Sequence, residues 1–562
     1  MKIARCFVCF SHMLLASALV AQTIPPPVRA AADSVDPEKI RAHVKFLADD
    51  LLEGRGPGTR GGDIAAEYIA TQFALYGLKP AGDNGSYLQM VNFVGTKTIG
   101  DKTRMSFVPD KPKGGGMNIM LHSYDLTFAN DYTVNNRRLT ESVDVNAPIV
   151  FVGYGVTAPE YGWDDYAGID VKDKVVLCIV GDPPSDDPKF FGGKALTYYG
   201  RWTYKFEEAA RHGAIGALII HRTDLASYGW DVVKNSNTSE KTYLRDNKDP
   251  QLAAASWITL DAAGTLFHAA NLDRDKEMEA AGHKGFKAVP LPVTLEAHIE
   301  AKVRNFQSPN VVAMVPGANV ASHKPDQAVM YTAHYDHLGI APGVSGDNIY
   351  NGAADNATGV GMLLEMARAW STLKTPPPHS VIFASVAAEE QGLLGSEYLG
   401  QHPPIPAGQI ALDINYDMIL PVGVPLEVNL NGEQRTTFHG TVLATAKRFN
   451  LTVTPDAHPE AGGYYRSDHF SLSRVGIPAF SVDQGELFEG HDRAWGDAKS
   501  KAFVDNDYHN FSDNYHADWD FKGNVKLVRF GLELGWEALT APKMIEWNKG
   551  DEFEAARKAS EK

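Results

Sequence analysis

Five short segments contain histidine and acidic side chains whose types could together bind metal ions. Imidazole nitrogens and carboxylate oxygens are donors that zinc accepts in proteins. One carboxylate between two ions can bridge them, so five such side chains suffice for a hydrolytic centre with two metals. The segments are Ala333-His334-Tyr335-Asp336, Ala354-Asp355-Asn356-Ala357-Thr358-Gly359, Ala388-Glu389-Glu390, Asn415-Tyr416-Asp417 and Tyr508-His509.

Alternating strands and helices are the elements that must hold these segments. The first, third and fourth segments follow or adjoin the ends of apolar runs, and the second precedes an amphipathic stretch. In an α/β sheet, ligands collect where strands end, so the pattern predicts an α/β core with a mixed sheet flanked by helices. Strands are predicted over 328–333, 380–387, 410–416 and 477–482, and helices over 359–370 and 526–539.

The amino-terminal part of this core is predicted to be helical. Residues 36–77 have the pattern of two amphipathic helices around a glycine-rich loop, 54–62. Asp36 before Pro37 is typical of a helix cap followed by the first helical position. The loop lacks both the Gly-Lys-Ser/Thr ending and the preceding strand of a phosphate-binding loop, which favours a surface loop.

Composition limits the classes of partner. With 562 residues, 44% of them hydrophobic, the chain is long enough for two or three domains. The formal net charge is −16, and no run of Lys or Arg is long enough to follow a phosphate backbone. Nucleic acid and anionic membranes are therefore not expected partners.

The first residues predict an export signal, 1–21. Lys2 and Arg5 supply positive charge, and residues 6–20 form an apolar stretch that is short for a bilayer span. The alternative is a retained membrane anchor. After cleavage, Cys178 would be the remaining cysteine, so no intrachain disulfide is expected. These features predict an exported bacterial protein, periplasmic or secreted, without stable membrane insertion after cleavage.

Residues 147–303 differ from the rest of the chain in their pattern of hydrophobic and β-favouring residues. β-rich runs over 148–152 and 175–180 come before a predicted helix and another buried strand. The segments 165–176 and 207–214 resemble the protease-associated domain, a β-rich module that several exopeptidase families carry as an insert. The resemblance implies a lid or an element that controls substrate access, without catalytic groups.

The five ligand segments resemble the co-catalytic zinc aminopeptidase family, whose relatives include glutamate carboxypeptidase and the transferrin receptor ectodomain. The resemblance runs over nearly the whole chain after the export signal and includes Leu52-Glu53-Gly54-Arg55. It implies a zinc-exopeptidase core formed by 33–146 and 304–548, two zinc ions per chain and peptide substrates. The polar tail, 549–562, is expected to fray.

The resemblance also implies a role for each ligand. His334 would bind the first zinc, and the Asp336 carboxylate would fix its imidazole ring. Asp417 would complete that site. Asp355 would bridge the two ions, and Glu390 would bind the second zinc. The sequence departs from the family at Ala354, where an acidic residue is common.

Glu389 and His509 complete the implied centre. Glu389 would be the general base that takes a proton from water and returns it to the leaving amine. His509 is favoured as the last ligand because an acidic residue follows its Tyr-His pair; His516 and then His491 are the alternatives. Tyr465, or its neighbour Tyr464, could donate to the oxyanion, or could simply be a packing aromatic.

The function implied by the resemblance is that of an exported zinc-dependent exopeptidase, with an aminopeptidase favoured. Three alternatives remain. A carboxypeptidase of the same family would act on the other end of the peptide. An enzyme that cyclises amino-terminal glutamine would hold a single zinc. A non-catalytic binding protein with the same fold would have lost ligands, whereas this chain keeps the full set.

Overall fold

The computed structural model describes residues 24–111, 122–226, 228–321, 326–341 and 343–561. The predicted export signal, 1–21, lies outside these ranges. Within them, every helix is too short or too polar to cross a bilayer.

Helices and strands are numbered separately in chain order. The helices are α1 (Pro26–Asp33), α2 (Pro37–Leu47), α3 (Arg60–Leu75), α4 (Trp202–Arg211), α5 (Thr223–Ala226), α6 (Trp230–Thr238), α7 (Leu260–Ala269), α8 (Arg274–Ala281), α9 (Ala318–Ala321), α10 (Thr358–Ser371), α11 (Leu394–Gln401), α12 (His439–Arg448), α13 (His469–Arg474), α14 (Arg493–Asn506), α15 (Lys522–Leu539) and α16 (Glu554–Ser560). The strands are β1 (Lys79–Pro80), β2 (Leu88–Thr98), β3 (Arg104–Pro109), β4 (Tyr124–Leu126), β5 (Tyr132–Asn135), β6 (Ser142–Phe151), β7 (Thr157–Ala158), β8 (Trp163–Asp164), β9 (Val175–Ile179), β10 (Gly216–Ile220), β11 (Lys241–Leu244), β12 (Ala254–Ile258), β13 (Val289–Val315), β14 (Ala328–His334), β15 (Gly339–Ile340), β16 (Ile349–Tyr350), β17 (Val381–Val386), β18 (Ile410–Tyr416), β19 (Glu427–Asn431), β20 (Thr452–Thr454) and β21 (Ala479–Gln484).

The sheet that positions the ligand segments is mixed. Strands β17, β14, β18 and β21 lie side by side and run parallel. On one side β19 pairs antiparallel with β21, and on the other β13 pairs antiparallel with β17 and with β2. Parallel strands that are buried on both faces are mostly apolar, and every residue of β14, β17 and β18 is buried. The predicted mixed α/β sheet is confirmed.

Helices cover both faces of this first sheet. Apolar side chains of α2, α3, α10 and α15 pack on one face in the largest hydrophobic cluster. A smaller cluster on the other face includes Leu399 of α11 and Leu472 of α13. The predicted cap of α2 is present, because the Asp36 carboxylate accepts a hydrogen bond from the Glu38 backbone at 2.9 Å and Pro37 is the first helical residue.

A second sheet shares strand β13 with the first. Its strands lie in the order β4, β3, β13, β6, β9, β10, β12 and β5. Helices α7 and α8 pack on one face, and α4 packs on the other. Strand β11 leaves this unit and pairs antiparallel with β2 of the first sheet. The two sheets are therefore joined by one continuous strand and by one crossing strand.

The pairing of strands places the boundary between the sheets earlier than the sequence pattern does. The predicted insert starts at residue 147, within β6, whereas β3, β4 and β5 already pair in the second sheet. All three strands are short, and β3 and β4 carry several exposed or half-exposed positions, whereas the four residues of β5 are buried. The composition of β3 and β4 therefore resembles that of a surface segment, and β5 is too short to form a distinct apolar run.

The carboxyl-terminal residues pack against the core. Residues 554–560 form α16, and the guanidinium of Arg557 is buried and donates to the carbonyl of Ile410 at 3.0 Å. Phe553 packs beside Trp547 with ring centroids 5.1 Å apart. The expectation that this polar tail frays is therefore wrong. Its few apolar and cationic side chains are enough to anchor it.

Candidate metal centre

The predicted ligands meet at one edge of the first sheet. His334 is the last residue of β14, Glu389 and Glu390 follow β17, and Asp417 follows β18. Because these three strands are parallel neighbours, their carboxyl ends lie at the same edge. Asp355 reaches this edge from the turn that precedes α10.

A first donor group consists of His334, Asp355 and Asp417, whose ligand atoms lie within 4.8 Å of one another. The His334 Nε2 atom is 3.1 Å from Asp417 Oδ1 and 3.4 Å from Asp355 Oδ1. Burial alone would lower the pKa of His334, but the carboxylates of Asp417 and Glu389 raise it well above its ordinary value. The group thus concentrates negative charge around one imidazole.

The second donor group consists of His337, Asp355 and Glu390 and meets the same 4.8 Å limit. His337 Nδ1 lies 2.5 Å from Glu390 Oε1. Asp355 belongs to both groups, which agrees with the predicted bridging position. His337 is not among the residues that the family resemblance implies, although it follows His334 by only three positions.

His509 also reaches the second group. Its Nε2 atom is 3.2 Å from Asp355 Oδ2 and 3.0 Å from Glu390 Oε2. The alternatives lie elsewhere, since His516 lines a separate cavity and His491 stacks on Trp495. Of the three carboxyl-terminal histidines considered, His509 is the one at the centre.

A main-chain carbonyl orients the imidazole ring of His334. Its Nδ1 atom lies 3.2 Å from the carbonyl oxygen of Asp336, whereas the Asp336 carboxylate is 3.9 Å away. That carboxylate accepts a hydrogen bond from the Glu389 backbone N–H at 3.1 Å. Asp336 therefore connects the β14 and β17 ends, and its carbonyl, more than its carboxylate, is placed to fix the imidazole.

The turn that carries Asp355 is held by side chains on both sides. The Asp513 carboxylate accepts hydrogen bonds from the backbone N–H groups of Ala354 and Asp355, at 2.8 and 3.0 Å. The Asn356 side chain accepts a hydrogen bond from the N–H of Gly359, in the first turn of α10, at 2.9 Å. Asp513, the acidic residue that follows the Tyr508-His509 pair, thus holds the turn that carries Asp355, the residue common to both donor groups.

Arg55 lies behind the centre and links the loops around it. Its guanidinium is buried and donates to the carbonyls of Tyr335, Asn351 and Gly352 at 2.7, 2.6 and 2.8 Å. It also donates to Leu47 at 2.5 Å. Burial lowers the pKa of Arg55 to about 10. The segment that precedes α3 is therefore part of the support of the centre.

Glu389 faces the first donor group without belonging to it. Its carboxylate is 12% exposed, and Oε2 lies 4.0 Å from His334 Nε2. Burial, together with the nearby carboxylates of Glu390 and Asp417, raises the pKa of Glu389 well above its ordinary value. An uncoordinated carboxylate beside two donor groups is in position to exchange a proton with a bound water.

Two tyrosines near the centre have different surroundings. The Tyr465 hydroxyl donates to Glu552 at 2.9 Å, and its ring packs with Tyr464 and Phe470. This arrangement favours the packing alternative for Tyr465. Tyr508 stacks on His509 at 3.9 Å. Partial burial, and then the carboxylates around the centre, raise its pKa well above the ordinary value.

The residues fit zinc on chemical grounds. Both donor groups combine imidazole nitrogen with carboxylate oxygen, a donor set that zinc accepts. Neighbouring buried carboxylates repel one another unless cations neutralise them. Ser467 donates to Asp417 at 2.6 Å and so orients a ligand from outside the group. Cys178 lies elsewhere, in β9, and burial raises the pKa of its thiol to about 12.

Comparison with known proteins agrees with this reading of the site. Residues 310–529 match the family model of Peptidase family M28, and this range includes every predicted ligand. The match confirms, for this part of the chain, the predicted resemblance to zinc-dependent peptidases. It does not extend to the segment predicted as an insert, 147–303.

Three similar proteins show how sequence identity and the matched share of the chain vary. Leupeptin-inactivating enzyme 1 of Streptomyces exfoliatus is 28% identical over 214 residues, which are 36% of this chain and 43% of that protein. A probable zinc metalloprotease of Pyrenophora tritici-repentis is 36% identical over 109 residues, 19% of this chain and 24% of that protein. The matches thus span less than half of either relative. The solved aminopeptidase from Aneurinibacillus sp. strain AM-1 is 20% identical, with a TM-score of 0.48 over 91% of this chain and 95% of that one.

Proposed function

We propose that this chain, whose residues 310–529 match Peptidase family M28, is a zinc-dependent exopeptidase with two metal ions. The observation that carries the proposal is the pair of donor groups that share Asp355. A chain with a single metal site would need only one of these groups. The paired groups therefore support a two-metal peptidase over the single-zinc cyclase.

The proposed roles follow from position. His334 and Asp417 would hold one ion, Glu390 with His509 and His337 would hold the other, and Asp355 would contact both. When bound, zinc supplies Lewis-acid chemistry, which polarises a peptide carbonyl and makes water acidic near neutral pH.

The chain's own groups would then manage the proton and the substrate. Glu389 would accept a proton from the attacking water at its carboxylate and return it to the leaving amine. Tyr508 presents a hydroxyl beside the four carboxylates of the centre and could donate to the substrate carbonyl oxygen. This assigns to Tyr508 the donor role first considered for Tyr465.

An amino-terminal exopeptidase is the favoured form of the proposal, with export to the periplasm or medium. The unit built on the second sheet is proposed to act as an access element, because it lines a cavity together with Glu390. The related carboxypeptidase activity is the alternative.

Metal analysis and a substrate panel test the proposal. Purified protein should bind close to two zinc ions per chain, and Asp355→Ala should reduce binding at both sites. Amino-acid anilides should be cleaved, whereas amino-terminally blocked dipeptides should not. A stoichiometry of one that Asp355→Ala leaves unchanged would contradict the two-metal centre, and cleavage of only the blocked dipeptides would indicate a carboxypeptidase.

A further inference from the structure

A cavity of about 240 Å³ lies beside the metal centre, between the core and the unit built on the second sheet. Its core side includes Glu390 and the residues that follow it, up to Leu394. Its other side includes the first residues of α4 and of β11. This volume is several times the roughly 30 Å³ that one water molecule occupies, so a ligand of several heavy atoms fits.

Three cations on the side of the second unit form what we call the cationic wall: Arg137, Arg201 and Lys241. Among the described residues, none of them forms an ion pair with a carboxylate. Arg137 has Glu207 and Glu397 as more distant charge neighbours. Its guanidinium lies over the rings of Phe206 and Tyr243. The Nε atom of Arg137 is buried without a hydrogen-bond partner. An unpaired cation that is largely removed from water is costly, and such groups usually meet a ligand or a counter-charge.

Two carboxylates near the wall pair with other arginines, while a third, Glu397, lines the cavity without an ion pair among the described residues, and burial raises its pKa. Glu207 lies 3.2 Å from Arg474, and Glu240 pairs with Arg304 at 2.7 Å. Arg201 instead has a second guanidinium, that of Arg466, nearby. Burial and then this like charge lower the pKa of Arg201 to about 10. In a protein with a net charge of −16, a wall of three cations without an ion pair among the described residues is a local exception, although Glu207, Glu390 and Glu397 line the same cavity.

We propose that the cationic wall binds a carboxylate of the peptide substrate, and that the enzyme therefore favours peptides with an acidic side chain or a free carboxyl terminus beside the scissile bond. The inference rests on the proposed peptidase function. Guanidinium and ammonium groups bind carboxylates through charge-assisted hydrogen bonds. Glu390 lines the same cavity, so a peptide held at the metals extends towards the wall.

Matched pairs of peptides test the inference on the zinc-loaded full-length protein. Alanyl-glutamate amide against alanyl-glutamine amide probes a side chain on the second residue. Glutamyl-alanine amide against methionyl-alanine amide probes the first residue. Alanyl-glutamine against its amide probes the free carboxyl terminus. We expect kcat/KM to be about 10- to 100-fold higher for the charged member of at least one pair.

Variants assign the preference to the wall. Arg201→Gln and Lys241→Gln should each reduce the ratio within the preferred pair by about 10-fold. Arg201→Lys should keep more of it than Arg201→Gln does. Arg138→Gln is the matched control, because Arg138 is exposed and does not line the cavity, and its ratio should equal that of the wild type. Thermal melts should show no loss of stability in the variants, since the substituted cations form no ion pair.

The outcomes separate the inference from the function on which it rests. Equal kcat/KM within all three pairs, with the neutral peptides cleaved, would overturn the carboxylate preference and leave the peptidase function standing. A ratio that survives both Gln variants would overturn the assignment to the wall. If the zinc-loaded protein cleaved none of the peptides, the proposed function would fail first and the inference with it.

Discussion

Glu389 and Glu390 are adjacent in sequence but lie in different surroundings at the end of β17. Glu390 contacts His337, a member of the second donor group, at 2.5 Å, and His509 at 3.0 Å. Glu389 belongs to neither donor group and approaches His334 only to 4.0 Å. Both residues lie in the turn that follows β17, and the turn directs the two carboxylates to different neighbours, so one can bind metal while the other stays uncoordinated.

Replacing Glu389 with Gln should separate proton transfer from metal binding. The amide keeps the shape of the side chain but cannot accept a proton, and general acid–base groups contribute typically ~10²–10⁴-fold in rate. We expect kcat to fall by that factor while two zinc ions remain bound. Glu390→Gln is the comparison and should lose metal as well as activity. Near-normal turnover of a fully loaded Glu389→Gln protein would place the base elsewhere.

His337 should matter for metal affinity at the second site. Because its ring contacts a ligand carboxylate directly, His337→Ala should weaken zinc binding at one site by about 10- to 100-fold. Competition with a chromophoric chelator would measure this change. His516→Ala is the control, since His516 lies outside both donor groups, and it should bind zinc like the wild type. Equal affinities for the His337 and His516 variants would exclude His337 from the centre.

The side chains that meet at the sheet edge could be predicted from the sequence because their types and order are distinctive, whereas the position of His337 among them could not. It directly follows Asp336 in a polar segment after β14, where a histidine is more often a surface residue. Only the folded loop shows that its ring turns towards Glu390. The position of Tyr508 beside the carboxylates could not be predicted either, because an aromatic residue next to a histidine in the sequence has no signal that distinguishes packing from catalysis.

Among the elements, the segment between α2 and α3 has a larger role than its glycine-rich sequence indicates. Gly54 has a φ of +68°, and a Cβ atom there would lie 2.5 Å from the Tyr350 carbonyl oxygen. The close contact between the Gly54 and Tyr350 backbones places Arg55 against the loops that follow β14 and precede α10, where it donates to their carbonyls. A segment expected to be a surface loop is thus a support of the metal centre.

Arg55→Met should destabilise the core strongly. The substitution leaves buried carbonyls without donors, and each such group costs about 1–3 kcal/mol. We expect the free energy of unfolding of the core to fall by at least about 3 kcal/mol, measured by chemical denaturation of the metal-free protein. Arg60→Met is the control, because the Arg60 side chain is 73% exposed in an ion pair with Glu53. Surface pairs contribute only about 0–1 kcal/mol. Similar losses in both variants would contradict the supporting role.

Strands were predictable where they are buried on both faces. The predicted strand over 410–416 coincides with β18, and that over 328–333 is one residue shorter than β14 (Ala328–His334). The continuous strand β13 (Val289–Val315) was not predicted, because its first half alternates between buried and exposed positions while its last part is mostly buried. A change from alternating to continuous burial within one strand therefore gives a sequence pattern that predicts a boundary between two elements.

For the whole molecule, β13 determines where the two units can be separated. Its residues up to Glu300 pair with β6 in the second sheet, and those from Ala301 pair with β2 in the first. Thr98, the last residue of β2, lies directly opposite Ala301. The chain therefore leaves the core at Thr98 and returns to it at the neighbouring position, which identifies the unit in between as an insertion between two paired strands.

Deleting residues 99–300 and joining Thr98 to Ala301 through Asn-Gly should leave a folded core. Asn-Gly favours the two-residue turn that connects antiparallel neighbours, and every residue of both donor groups is retained. We expect native-like circular dichroism and close to two zinc ions per chain, with the preference for carboxylate-bearing peptides lost together with the cationic wall. Deletion of 148–302, the boundary that the sequence pattern suggests, should instead misfold, because it leaves β3 without its partner β13 and β5 without β12. If the longer deletion failed to fold while the shorter one folded and bound zinc, the proposed division at β13 would be wrong.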